Sequence, residues 1–184
     1  MNKRIEVCSG GGFSLRQIAF VLLLAFGPYI TAYAGTYPLA PEALFTTAAG
    51  RTLSTTGLKG HPTLLWLLST WCSSCAAGLQ TLARHTGILQ KDGLRVVVLR
   101  NYRNGGYTGP HIAAFTAKVL PGFKAPQNWV LGQASRALDK RYNARHYPDI
   151  YFLIDANGRI RAEDSAPSAT FARILAFAKS QDNH

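Results

Sequence analysis

Two of the chain's three cysteines stand in the spacing Cys72-Ser73-Ser74-Cys75. Thiols three positions apart can close into a disulfide and reopen by exchange with another molecule's sulfur. Their surroundings sharpen this reading. The continuous apolar run Thr63-Leu64-Leu65-Trp66-Leu67-Leu68 precedes them, and Ala76, Leu79, Leu82 and Ala83 follow at spacings of three and four. The pair therefore falls where a strand buried on both faces gives way to a helix. Free N–H groups and the dipole at a helix N-terminus favour a thiolate, which makes Cys72 the attacking sulfur. Cys75, one turn in, is the shielded resolving sulfur. A structural zinc site would need a second pair of ligands at matching spacing, and the sequence has none. An inert disulfide closing so short a loop stabilises little. Copper held by both thiols and a histidine remains an alternative, with His146 the candidate third ligand.

The elements around this pair follow from periodicity and turn chemistry. Ala43–Thr47 and Arg51–Ser54 read as a hairpin around Ala48-Ala49-Gly50. Leu94–Leu99 is a second buried strand, and Asn101–Gly109 a loop rich in Gly, Asn and Tyr. Pro110 suits the first turn of a helix running to about Leu120. Asn128–Leu131 is a short strand and Ala134–Tyr142 a helix. Ile150–Ile154 and Arg159–Ala162 flank the tight turn Asp155-Ala156-Asn157-Gly158, and Thr170–Ser180 closes the chain as a helix. Strands alternating with helices before a terminal hairpin and helix imply an α/β fold: a three-layer α/β/α sandwich with a mixed central sheet.

The chain has 184 residues, 47% of them hydrophobic and 16% charged, which suits one compact domain and excludes disorder, collagen and coiled coil. Residues 1–34 read as a signal peptide or membrane anchor. Lys3, Arg4 and Arg16 precede the apolar run Ile18–Phe26, Gly27-Pro28 break it, and Ala32-Tyr33-Ala34 forms an A-x-A cleavage pattern. Residues 35–184 are then the exported domain. Cys8 leaves with the signal or stays on the cytoplasmic side, so Cys72 and Cys75 are the two exported cysteines. In an oxidising compartment, two cysteines so spaced indicate a redox pair. The net charge of +11 suits acidic partners, and membrane contact through the N-terminal segment is expected. No nucleic-acid motif accompanies the charge.

Several stretches resemble, in order, the thioredoxin-like proteins of the TlpA/ResA type. They are Ala40-Pro41-Glu42-Ala43-Leu44, Gly57-Leu58-Lys59-Gly60-His61-Pro62, Trp71-Cys72-Ser73-Ser74-Cys75, and Tyr147-Pro148 ahead of Phe152–Gly158. The resemblance spans residues 40–163. It implies an extracytoplasmic thiol-disulfide oxidoreductase with no cofactor, acting on cysteines of exported proteins and recharged by a membrane thiol-disulfide electron donor. Roles in cytochrome c or oxidase maturation belong to this family. By the same resemblance Pro148 is the family's cis-proline beside the cysteines. The backbone of Tyr147 is then open to an incoming peptide, and Trp71 and Tyr147 contact the substrate. The sequence departs from the family at three points. Both positions between the cysteines are serine. Trp66 stands where thioredoxins bury an Asp, and Gly78 where ResA-type reductases carry a Glu. No buried carboxylate is thus evident to take the proton of Cys75, leaving His146, Asp149 or water. SCO-type copper chaperones share the implied fold, but space their cysteines C-x-x-x-C and place their histidine at the position of Tyr147, one residue from His146.

Overall fold

The computed structural model describes residues 37–181. The signal or anchor expected over residues 1–34 lies outside them. Among the described residues no helix is long and apolar enough to cross a membrane.

Seven strands form one mixed sheet: β1 (Leu44–Thr47), β2 (Thr52–Ser54), β3 (Thr63–Leu68), β4 (Arg95–Arg100), β5 (Trp129–Ala134), β6 (Asp149–Ile154) and β7 (Ile160–Asp164). Their spatial order is β2-β1-β5-β4-β3-β6-β7. The centre, β5-β4-β3, is parallel, while β6 runs antiparallel to β3 and β1 antiparallel to β5. Every residue of β3 and β6 is buried, as a strand covered on both faces requires.

The helices are α1 (Ser73–Arg84), α2 (Thr86–Lys91), α3 (Ile112–Val119), α4 (Arg136–Tyr142) and α5 (Phe171–Gln181). Alternation along the strands sorts them into two outer layers. Leu64, Trp66, Leu68, Val96, Val98, Tyr151 and Leu153 share one core with α1, α2, α3 and α5. Leu65, Leu67, Val97, Leu99, Ile150, Phe152 and Ile154 pack on the opposite face with α4. The expected three-layer α/β/α architecture is therefore present.

Differences from the sequence expectation are local. β5 runs three residues beyond Leu131, because Gly132 and Gln133 pair with Thr47 and Thr46 of the edge hairpin. That contact lies far off in sequence and leaves α4 to begin at Arg136. Helix α2 had no counterpart in the expectation; His85 divides it from α1. The loop after β4 turns through left-handed geometry at Arg103, Asn104 and Gly105. The buried Asn104 makes this possible: its Oδ1 accepts from Thr70 N at 2.8 Å, and its Nδ2 donates to Thr108 O at 3.0 Å. A loop distant in sequence is thereby pinned against the segment that leads into Cys72.

Candidate functional site

β3 ends at Leu68, and four residues later the chain enters α1. Cys72 occupies the N-cap, with extended backbone (φ −86°, ψ 122°), and its N–H donates to Ser69 O at 3.1 Å. Cys72 as a residue is half-buried, whereas Cys75 is fully buried. Both cysteines are free thiols. This is the exposure difference expected of an attacking and a resolving sulfur.

Cys75 Sγ donates to Pro148 O at 3.4 Å. The same carbonyl accepts from Ser69 N at 2.7 Å, so Pro148 lies directly against the cysteine pair. Its proximity is as expected, but its bond is not: among the described residues there is no cis peptide, so the Tyr147–Pro148 bond is trans. Burial, first, and then the charge of Asp149 push the Cys75 thiol well above its ordinary range. A hydrogen bond to Cys72 and that residue's charge act in the same direction, and a backbone bond from Ser69 opposes them. Cys75 therefore keeps its proton until a base takes it.

The sequence left His146, Asp149 or water to take that proton, and the structure brings Asp149 to the sulfurs. Asp149, the first residue of β6, is 7% exposed. Its carboxylate and the sulfurs of Cys72 and Cys75 lie within 4.8 Å of one another. Trp66 Nε1 donates to Asp149 Oδ1 at 2.8 Å, and Ser74 Oγ donates to Oδ2 at 3.0 Å. Two of the departures in the sequence now have a joint explanation. Trp66, where an acid was expected, serves as the donor that holds an acid supplied by β6. Gly78 makes room for the indole: a Cβ there would sit 2.7 Å from Trp66 Cη2.

His146 does not join the sulfurs. Its side chain is 74% exposed, and its Nδ1 lies 3.7 Å from Asp139 Oδ2. Among the described residues, the group of cysteine, histidine and acid side chains able to surround a metal ion is Cys72, Cys75 and Asp149. The third group beside the two sulfurs is thus a carboxylate, not the expected imidazole.

The two expected substrate-contact residues flank the site. Trp71 is 47% exposed and Tyr147 42% exposed, both large for apolar groups left in water. Trp71 Nε1 donates to Asn104 O at 2.9 Å, and its ring lies 4.8 Å from that of Tyr107, which is also exposed. Tyr107, missed in the sequence, comes from the loop that Asn104 pins. Between Ser74 and β7 a groove of about 490 Å³ opens beside the cysteines, lined by Tyr147, Pro148, Asp149, Glu163 and Asp164. The backbone of Tyr147 is not open, contrary to expectation. Its N–H donates to Asn143 Oδ1 at 2.8 Å. Its carbonyl accepts from Asn143 Nδ2 at 2.8 Å and Asn101 Nδ2 at 3.1 Å.

No protein-family model matches the chain, and no curated protein matches it in sequence. Solved structures do. A thioredoxin-like protein from Aeropyrum pernix aligns with a TM-score of 0.56 at 19% identity, over 73% of this chain and 88% of that one. The thioredoxin domain of a thiol-disulfide oxidoreductase from Bacteroides vulgatus aligns with a TM-score of 0.52 at 16% identity, over 77% and 98%. ScoI of Arabidopsis thaliana, solved with copper bound, aligns with a TM-score of 0.55 at 12% identity, over 78% and 99%. At these identities the likeness is one of fold, and the fold is thioredoxin-like.

Proposed function

We propose that this thioredoxin-like chain is a thiol-disulfide oxidoreductase in which Cys72 attacks, Cys75 resolves and Asp149 carries protons. The observation behind it is the set of two free thiols at the start of α1 with a buried carboxylate beside them. In the reducing direction, the Cys72 thiolate attacks one sulfur of a client disulfide. The client S–S bond breaks, and the leaving sulfur departs with the electron pair and takes a proton. Asp149 then removes the proton of Cys75, whose sulfur attacks Cys72 Sγ and releases the client's second thiol. The client gains two electrons and two protons, and Cys72–Cys75 becomes a disulfide. Run backwards, the same steps donate a disulfide; the potential of the pair sets the direction.

Residues 1–34 support an extracytoplasmic location, with cysteines of exported proteins as substrates and a membrane thiol-disulfide protein as electron donor. Maturation of cytochrome c or of an oxidase is the corresponding setting. Titrating free thiols after incubation with reduced and oxidised glutathione tests the reading. Two thiols should appear and disappear together, and Cys72→Ser should abolish the change. A pair that never interconverts refutes it.

A second reading, copper carriage, rests on the Cys72, Cys75 and Asp149 group. Thiolates suit copper(I), whereas a carboxylate is a hard donor. Copper(I) titration of the reduced chain decides: stoichiometric binding unaffected by His146→Ala would favour carriage by the dithiol, and weak binding would remove it.

A further inference from the structure

The two serines between the cysteines look interchangeable in sequence, but the structure separates them. Ser73 is exposed, whereas Ser74 stands between the two reacting partners. Its Oγ is 3.0 Å from Cys72 Sγ, and its hydroxyl donates to Asp149 Oδ2 at 3.0 Å. A serine hydroxyl has one proton and two lone pairs, and a carboxylate only accepts. With the serine proton directed at Asp149, only a lone pair faces Cys72. In the dithiol, therefore, the Cys72 S–H donates to Ser74, and the order is sulfur, hydroxyl, carboxylate in single file. Trp66 holds the other carboxylate oxygen, which keeps Oδ2 facing Ser74.

We propose that Ser74 relays the proton of Cys72 to Asp149. As the sulfur's proton moves to Ser74 Oγ, the hydroxyl's own proton moves to Asp149 Oδ2. One S–H and one O–H bond break, and two O–H bonds form. The products are a thiolate, a serine still carrying one proton, and a neutral carboxyl. The serine now donates to the thiolate, and Asp149 donates to the serine. The negative charge has moved from carboxylate to sulfur without a water molecule and without any change of oxidation state. The proton is returned when the client's first sulfur leaves, before Asp149 takes the second proton directly from Cys75. One carboxylate thereby serves both cysteines, reached by Cys72 through a hydroxyl and by Cys75 at close range. This inference rests on the oxidoreductase reading and assigns its first proton transfer.

The test is the rate at which the reduced chain attacks a chromogenic aromatic disulfide at fixed pH near 6.5, in water and in heavy water. Ser74→Ala should react about 10-fold more slowly. That is less than the 10²–10⁴ typical of a positioned acid–base group, because solvent also reaches the half-buried Cys72. Ser74→Thr, which restores the hydroxyl, should recover most of the rate. The wild type should show a solvent isotope effect that curves with deuterium fraction, as two protons in flight require, and the alanine variant should not. An alanine variant equal to wild type in rate and isotope effect overturns the relay while the dithiol–disulfide titration still supports the oxidoreductase. Loss in alanine that threonine fails to restore also overturns it. A wild type whose cysteines never interconvert overturns both.

Discussion

Replacing Gly78 with alanine sets two opposed effects against each other. In a helix interior alanine is favoured over glycine by about 1 kcal/mol, so propensity alone makes Gly78→Ala stabilising. The site opposes this. The added Cβ would lie 2.7 Å from Trp66 Cη2, 3.0 Å from Trp66 Cζ2 and 3.3 Å from Pro167 Cδ. Neither neighbour is the free end of a flexible chain. Trp66 is fully buried with its Nε1 tied to Asp149, and Pro167 is a buried ring. Overpacking of this kind costs about 1–3 kcal/mol. A displaced indole also weakens a hydrogen bond to a charged group, worth about 1.5–3 kcal/mol when whole. Together these exceed the propensity gain, and the expected net loss is about 2 kcal/mol. For a domain of this size that corresponds to a fall in Tm of roughly 4–8 °C. Urea unfolding followed by circular dichroism measures it. Trp66→Phe removes the two ring atoms that clash, so Gly78→Ala in that background should cost nothing or stabilise, and the double-mutant cycle should return a clear coupling. A single Gly78→Ala variant more stable than wild type would refute the reasoning, since the indole would then be free to move aside.

Two further perturbations probe the acids. Asp149→Asn leaves an oxygen for Trp66 but removes the base, so resolution by Cys75 should slow by about 100-fold or more. Acid quenching and mass spectrometry should then trap a mixed disulfide between Cys72 and a client peptide, and failure to accumulate it would count against Asp149. At Asp139 burial pushes the carboxyl up, against a backbone bond from Tyr102 and the charge of His146. An acid raised in the folded state favours folding when protonated. That contribution is fully present below the unfolded value of about 3.9 and is lost as pH rises through the folded one. With His146→Gln as background, so that its titration does not enter, Asp139→Asn should gain stability relative to the parent as pH rises from about 4 to 7. An equal difference at both ends of that range would show that burial of Asp139 does not couple to folding.

The elements that position the cysteines were legible in the sequence because each is a local pattern. A continuous apolar run gave β3 at its observed bounds, and three-and-four spacing placed α1 directly after Cys72. The acid was legible only as one of three candidates, Asp149 beside His146 and water, with nothing to choose among them. Asp149 bonds Trp66 across 83 positions of sequence, and an aspartate that follows a proline and opens a strand reads as a strand boundary. Comparison with a family pattern also pointed to the wrong places, since the carboxylate is supplied from β6 while β3 and α1 contribute an indole and a gap. The closure of Tyr147 was equally hidden, because it needs the carboxamide of Asn143, four residues upstream, and that of Asn101, 46 positions away, to converge on one peptide group. Asn128–Leu131 showed a strand but not its length, which pairing with the edge hairpin decides.

The clasp around Tyr147 sets a threshold for recognition. A client strand that seeks its backbone must first part it from Asn143 and Asn101, and Asn143 also holds Asn101 Oδ1 at 3.1 Å. Both carboxamides are buried, so each polar group released without a new partner costs about 1–3 kcal/mol. On the proposed oxidoreductase reading, that toll is the same for every client. It subtracts equally from strong and weak fits, and only segments whose side chains already hold to Trp71, Tyr107 and the ring of Tyr147 clear it. Selection on such a surface would work by exclusion: main-chain pairing, which any peptide can offer, is withheld by the Asn143 and Asn101 bonds until side-chain contacts have been made.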